Sequence, residues 1–430
     1  MEDALYSESA AAKIWGVALR SLSKATPPDQ YPEYTSPTGQ EYIYSSAEFW
    51  TSGFFPGCLA LLHQRQRNWS PRNLQQPHPL KLQHAIKWWT EPLHSQAQRK
   101  DTHDLGFMIQ PWAQLGWQLD GDRKCLESCI AAARSLASRF DPAVGCIRSW
   151  DTCVTRRYSF LDPSKNFLVI IDNMMNLDLL YYVSALTGDR RMAEIATSHA
   201  HTSMKAHIRE DGSTCHVVDF EPVTGEIQAR FTNQGYSDDS CWTRGQAWGI
   251  AGFAQAFGWT KDERFLNASR KLADYFLKRI SDDNTVVWDF DAPKPGPSDT
   301  SAALIAVYGL LLIHEAEMSF SHMDHIAGSY LEAAIKILAA VVSSSLSPAA
   351  KFVKTSSGNE NVDLGNGHET IIMHATINNY EFAPRRWADH GLVYADYFFL
   401  LIGNKLLDMG LVRTNHAGTD AACSRCNGMG

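Results

Sequence analysis

Apolar positions in this chain recur at helical spacing, and they come in pairs of segments. In "DNMMNLDLLYYVSALTGDRRMAEIATSHAHTSMKAHI" the first half is apolar on nearly all sides, while the second carries its Lys, Arg and Glu on one face. The pattern predicts a helix capped by Asp172 or Asn173 and running to about Ala185. A turn at Thr187-Gly188-Asp189 and a second helix to about Lys205 follow. The stretch "TNQGYSDDSCWTRGQAWGIAGFAQAF" (Thr232 to Phe257) repeats the plan: a helix from Arg244 to Phe257, a turn at Thr260-Lys261-Asp262, and a helix through Leu277. Units of the same shape begin at Trp50, Asp104, Asp299 and His390, and a helix near Ala10 to Leu22 completes a sixth pair. Strand signals are scarce.

A helix that is apolar all round is buried, and an amphipathic one faces water. Six inner and six outer helices joined by short turns predict an all-α chain closed into an (α/α)6 barrel, a single domain over residues 1–415. An open helical solenoid is the alternative. Residues 416–430, rich in Gly, Ser and Cys, read as a mobile tail.

Inner helices of such a ring all point the same way, so the residues just before them share one end of the barrel. They are Trp50 with Thr51 and Ser52, Asp104, Asp172, the loop from Gln234 to Arg244, Asp299, and Asp389 with His390. A polar, aromatic stretch in front of a helix destined for burial is then the wall of a pocket.

Composition narrows what that pocket serves. The chain has 430 residues, 44% of them hydrophobic, with 13 Trp, so a large core and an aromatic cleft are both within reach. A net charge of −8 argues against nucleic acid as a partner. The run "LIAVYGLLLI" (Leu304 to Ile313) is too short to span a bilayer, so no membrane partner is expected. The N-terminus, "MEDALYSESAAAKIWGVALR", is acidic and has no secretory pattern, and the nine Cys are irregularly spaced. Both point to a reducing, cytoplasmic setting. Asn68-Trp69-Ser70 and Asn267-Ala268-Ser269 then match the glycosylation pattern by chance. Cys423 and Cys426 lack a second half-site, and Asp238-Asp239 lacks further ligands, so no metal and no cofactor are expected.

Asp104 in "DTHDLGFM" and Asp172 in "VIIDNMMNL" are carboxylates beside apolar neighbours. Each alone reads as a helix cap. Two at one end of a barrel are the usual equipment for acid/base work on sugars. Burial raises the pKa of Asp172, as a general acid requires, and the helix N-terminus opposes that rise. His216 reads either as a surface-loop residue or as part of the pocket, and Gln234 as a loop amide or a partner for a hydroxyl. Arg244 opens a buried helix and needs an anion: Asp238 or Asp239, or a ligand carboxylate. Trp50, Trp242 and Trp248 are core residues or stacking partners for a sugar ring, and Asp299 reads as a cap.

"FWTSGFFPG", "HDLGF", "IIDNMMNLDLLYYVSALTGD", "DGSTCHVVDF", "NQGYSDDSCWTRGQAWGI" and "GLVYADYFFL" together resemble the unsaturated glucuronyl hydrolases, glycoside hydrolase family 88. The resemblance runs from about Trp50 to Leu401. It leaves out the insertion from about Arg65 to Lys81 and the tail after Asn415. It implies an (α/α)6 barrel and an unsaturated uronate oligosaccharide as substrate, with water added across the C4=C5 bond of a terminal Δ4,5-unsaturated glucuronic acid. By the same resemblance Asp172 is the general acid/base, and Asp104 positions it or binds sugar hydroxyls. His216 and Gln234 lie near the reacting face, Trp50 and Trp248 form the stacking walls, and Arg244 meets the substrate. The segment "NNYEFAPRRWADHGLVYADY" carries Arg385 and Arg386 instead of the Ser- and Lys-bearing pattern of members that prefer sulfated chondroitin disaccharides. Alternatives are an unsaturated rhamnogalacturonyl hydrolase acting on pectin fragments and a non-catalytic sugar-binding barrel.

Overall fold

The computed structural model describes residues 1–36, 40–69, 77–319, 328–354, 360–365, 367–383 and 385–412. The predicted tail with Cys423 and Cys426, and Ser70 of the first glycosylation pattern, lie outside them.

Twelve helices build the barrel. The outer set is α1 (Glu8–Leu22), α3 (Pro79–Thr90), α5 (Arg123–Ala137), α7 (Arg190–His207), α9 (Glu263–Arg279) and α11 (Ser329–Ser345). The inner set is α2 (Phe54–Trp69), α4 (Gln110–Asp120), α6 (Asn173–Thr187), α8 (Thr243–Thr260), α10 (Thr300–Met318) and α12 (Val393–Asp408). Each inner helix packs on the next, a short turn at Leu105–Met108 linking α4 to α6, and α12 returns to α2, so the ring closes. Small residues let the inner helices approach. A Cβ on Gly309 of α10 would stand 2.9 Å from the Ala251 amide of α8, and one on Gly252 would strike Met174 of α6.

The apolar run Leu304 to Ile313 is only the middle of α10. That helix has 19 residues and is long and apolar enough to cross a membrane, but 78% of its most apolar window is buried inside the barrel. Here the run is a core helix of the ring.

The two ends of the barrel differ. Three inner-to-outer connections are tight turns of one design, a left-handed residue followed by a capping Asp. Gly121, Gly188 and Lys261 have φ of 64°, 77° and 56°, and Asp122, Asp189 and Asp262 accept from backbone amides of the following helix. The outer-to-inner connections are long, and they carry the strands that sequence periodicity missed. β1 (Gln30–Thr35) pairs with β2 (Tyr42–Ser46), and β3 (Phe167–Ile170), β4 (Val217–Phe220) and β5 (Ile227–Phe231) form an antiparallel sheet. These long segments all converge where the inner helices begin.

Candidate active site

Ring closure gathers five of the six inner N-termini around a cavity of about 110 Å³, and the sixth, that of α10, does not line it. Trp50 and Thr51 reach it from before α2, His103 and Asp104 from before α4, and Asp172 from before α6. Gln234, Trp242, Arg244 and Trp248 come from the α8 segment. Glu33 of β1, Trp150, Ile377 and Tyr394 of α12 complete the wall.

Neither key carboxylate caps its helix. Asp122, Asp189, Asp262 and Asp299 all accept from backbone amides of the helices they precede, whereas Asp104 and Asp172 make no such bond at the same position. The two side chains are thus left to the pocket, and their environments differ. Asp104 Oδ1 lies 3.1 Å from His103 Nε2, and Oδ2 accepts from Thr102 Oγ1 at 2.6 Å. Burial pushes this carboxyl up, but His103 and the two hydrogen bonds outweigh burial and hold it below the usual range. Asp172 has no such support, and its buried Oδ1 has no hydrogen-bond partner. Burial raises Asp172 to about 6; Asp104 adds to the rise, while His103 and Arg244 oppose it. One pocket therefore holds one stabilised carboxylate and one carboxyl poised to carry a proton, the division of labour seen in acid/base catalysis.

The three-stranded sheet sets Asp172 in place. Ile170 pairs with Val217, and the next residue, Ile171, donates its amide to the His216 carbonyl at 3.1 Å. This register puts the end of β3 beside the start of β4. His216 is no surface-loop residue: it is 4% exposed. It stands one layer behind the pocket wall, with its ring 4.4 Å from the Trp242 ring. The Asn233 amide donates to Nδ1, and burial, reinforced by Arg244, pushes the imidazole down to about 3, so it is neutral.

Arg244 takes neither Asp238 nor Asp239 as its anion. Its Nη1 donates to Asp299 Oδ2 at 2.6 Å and to the Thr376 carbonyl, and its Nη2 donates to the Ile377 carbonyl. The guanidinium also lies over the Trp242 and Tyr394 rings. Asp238 instead accepts from Tyr158 and pairs with Arg157. Asp299 is both the cap of α10, as expected, and the partner of Arg244. Gln234 Nε2 donates to the Ile377 carbonyl at 3.0 Å, which ties the loop before α8 to the segment before α12.

The tryptophans divide by burial. Trp248 is 1% exposed and packs between Phe107 and Phe398, so it floors the pocket from within the core. Trp50 and Trp150 are half-buried and offer ring surface. Trp150 is held by bridges to Thr102 and Leu168. It and Glu33 escaped the sequence reading because both lie in loop or hairpin segments without helical periodicity. The segment of Asp389 and His390 contributes little: Asp389 faces solvent and bonds His374, and His390 packs on Tyr34.

On the pocket wall Thr51 Oγ1, His103 Nδ1 and Asp172 Oδ1 are buried without hydrogen-bond partners. Among the described residues no group of three His, Cys, Asp or Glu is arranged to hold a metal ion.

No family model matches the chain. Comparison with individual proteins decides its family. The unsaturated glucuronyl hydrolase of Formosa agariphila is 30% identical over 356 residues, which span 82% of this chain and 78% of that protein. The chain belongs to the unsaturated glucuronyl hydrolases. A solved unsaturated glucuronyl hydrolase specific for heparin is 27% identical, with 96% of this chain and 99% of that one covered at a TM-score of 0.77. A second solved member, with dGlcA-Glc-Rha-Glc, is 25% identical and covers 94% of this chain and 97% of its own at 0.76. As an unsaturated glucuronyl hydrolase, the chain has its (α/α)6 barrel in common with these relatives.

Proposed function

We propose that this chain removes a non-reducing-end Δ4,5-unsaturated glucuronic acid from lyase-generated oligosaccharides by hydrating its C4=C5 double bond. The observation that carries this is the Asp104–Asp172 contrast: two carboxyls at uncapped helix starts in one pocket, one held low and one raised to about 6. Protonated Asp172 gives its proton to C4, and the electron pair of the vinyl ether forms the new C–H bond. Water bonds to C5, and its spare proton returns to the Asp172 carboxylate. The hemiketal at C5 opens, leaving a ketone there and a hemiacetal at C1. Loss of the remaining saccharide from C1 completes the reaction, and the enzyme ends as it began.

Asp104 is the positioning carboxylate. Fixed by Thr102 and His103, it accepts from sugar hydroxyls and its charge keeps the Asp172 proton in place. Trp50 and Trp150 offer faces to the ring, and Gln234 offers its remaining amide groups to hydroxyls. The cavity is far smaller than the few hundred Å³ of a drug-sized pocket, so it suits a chain end and not a chain interior. Seven described cysteines, all free and buried, fit a reducing, cytoplasmic location.

The test is ultraviolet absorbance of the conjugated double bond in an unsaturated glucuronyl disaccharide mixed with the enzyme. Decay of the band with release of the saccharide is expected. A flat trace there with decay on a pectin-derived unsaturated galacturonosyl-rhamnose would reassign the substrate, and flat traces on both would overturn hydration as the activity.

A further inference from the structure

The barrel is open at its other end as well. Where the inner helices finish, a cavity of about 360 Å³ adjoins one of about 390 Å³, and the two share Asp178, Gln255 and Tyr308. We propose that this rear cavity is a second saccharide site, built for an uncharged sugar.

Its chemistry is unlike that of the front pocket. Gln64, Gln110, Gln114, Gln118 and Gln255 line it, each with an amide that both donates and accepts, as a ring of hydroxyls requires. At its centre Asp178 accepts from Trp259 Nε1 at 2.6 Å and from Gln110 Nε2, and Gln110 also donates to Gln114 at 2.9 Å. Both partners of Asp178 are neutral, so its charge is unpaired and lone pairs remain for hydroxyl donors. Burial raises this carboxyl, against the pull of the two hydrogen bonds. No Lys or Arg lines the 360 Å³ cavity, so there a uronate or a phosphate would meet Asp178 and Asp408 without compensation, and the one cation of the rear cavity, Lys261, lines the adjoining 390 Å³ part.

Apolar surface completes the fit. Trp259 is 41% exposed, with its ring nearly parallel to Tyr181 at 15° and 6.3 Å. Phe54, Phe107 and Phe398 form the floor. A pyranose has hydroxyls on its rim and C–H groups on its faces, and this arrangement meets both. The volume lies within the range of small-molecule sites.

The floor is shared with the front pocket. Trp50 lies 5.9 Å from Phe54 and 5.5 Å from Phe107, and Trp248 lies 5.2 Å from Phe107 and 5.6 Å from Phe398. One aromatic layer has the reacting sugar on one side and the rear cavity on the other. The choice of ligand rests on the hydrolase reading: hydration strips the uronate and frees a saccharide that, when uncharged, is the kind of molecule the rear cavity accepts.

The intact protein is titrated with glucose and N-acetylgalactosamine, followed by saturation-transfer NMR. Saturable, millimolar binding is expected for at least one of them, weakened about tenfold in Trp259→Ala and in Asp178→Asn and absent for glucuronate. A flat titration with both sugars, equal binding of glucuronate, or unchanged affinity in both variants would overturn the site. Turnover of the unsaturated disaccharide is measured on the same samples and separates the two readings. Normal turnover without sugar binding removes the rear site alone, and Trp259-dependent binding without turnover keeps the site and removes the hydrolase.

Discussion

Arg244 and Asp299 form an ion pair sealed from solvent: Nη1 donates to Oδ2 at 2.6 Å, with side chains 1% and 0% exposed. The pair joins the start of α8 to the cap of α10, and the carbonyls of Thr376 and Ile377 add the segment before α12. Arg244 is therefore a framework residue of the pocket whose charge the protein itself neutralises. Arg244→Ala leaves Asp299 buried with no cation, so urea unfolding should show a loss of about 3–5 kcal/mol. A loss under about 1 kcal/mol would mean that water reaches Asp299.

Asp172→Asn should retain the fold and lower turnover by a factor of about 10² to 10⁴. Circular dichroism and the absorbance assay check the two halves of that statement. Full activity would remove Asp172 from the proton transfer.

The same variant should be more stable than the wild type at neutral pH. The folded carboxyl titrates near 6 against an ordinary value of 3.8. Between those values the folded chain holds a proton that the unfolded chain has released. The favourable contribution of Asp172 is thus complete below about pH 4 and is lost as pH rises through about 6. The gap between Asp172→Asn and wild type should widen over that window, to on the order of 1–3 kcal/mol. Denaturation at several pH values reads it directly, and a constant gap would contradict the raised pKa.

In the pH–rate profile, kcat/KM should fall above about pH 6 as Asp172 loses its proton. It should fall again only below the ordinary carboxylate range, where Asp104 gains one. A profile flat from about pH 5 to about pH 8 would exclude Asp172 as the donor.

The two classes of tryptophan should respond differently. Trp150→Ala removes a half-buried ring face and should raise KM about threefold to tenfold with little change in stability. Trp248→Ala opens a hole between Phe107 and Phe398 and should lower stability by about 3–5 kcal/mol. Thermal unfolding alongside Michaelis kinetics separates them, and equal effects on both measures would dissolve the distinction.

Gly188→Ala should destabilise by about 1 kcal/mol with unchanged kinetics. A Cβ there meets nothing within 4 Å, so the loss reports only the left-handed φ of 77°. Chemical denaturation checks it.

The barrel was readable in the chain because its evidence is periodic: paired apolar and amphipathic stretches mark α2 through α12. One break was local. Met108 ends a short turn and Gln110 begins α4, since Pro111 has no amide proton and fits only a first turn. Asp104 and Asp172 were found because ring geometry places residues before inner helices together. Glu33 and Trp150 were not, since strands of two to six residues and loops carry no such period. The Arg244–Asp299 partnership was missed for a different reason. Asp238 and Asp239 are near in sequence, whereas Asp299 becomes a neighbour only when α8 and α10 pack.

Closure of the ring has a consequence for how the chain is made. α2 finds its second inner neighbour in α12, and the seam is stitched by Tyr6 to the Gly403 carbonyl at 2.8 Å and by Arg65 to Asn404 and the Leu5 carbonyl. An open solenoid can begin folding on any few repeats and grow. Here the earliest inner helix keeps one flank bare until the last one has been synthesised. A nascent chain must shelter that flank while everything from α3 to α12 is made. Once α12 docks, no terminal repeat is left to fray, and the molecule gains and loses its structure as a hoop, not as a stack.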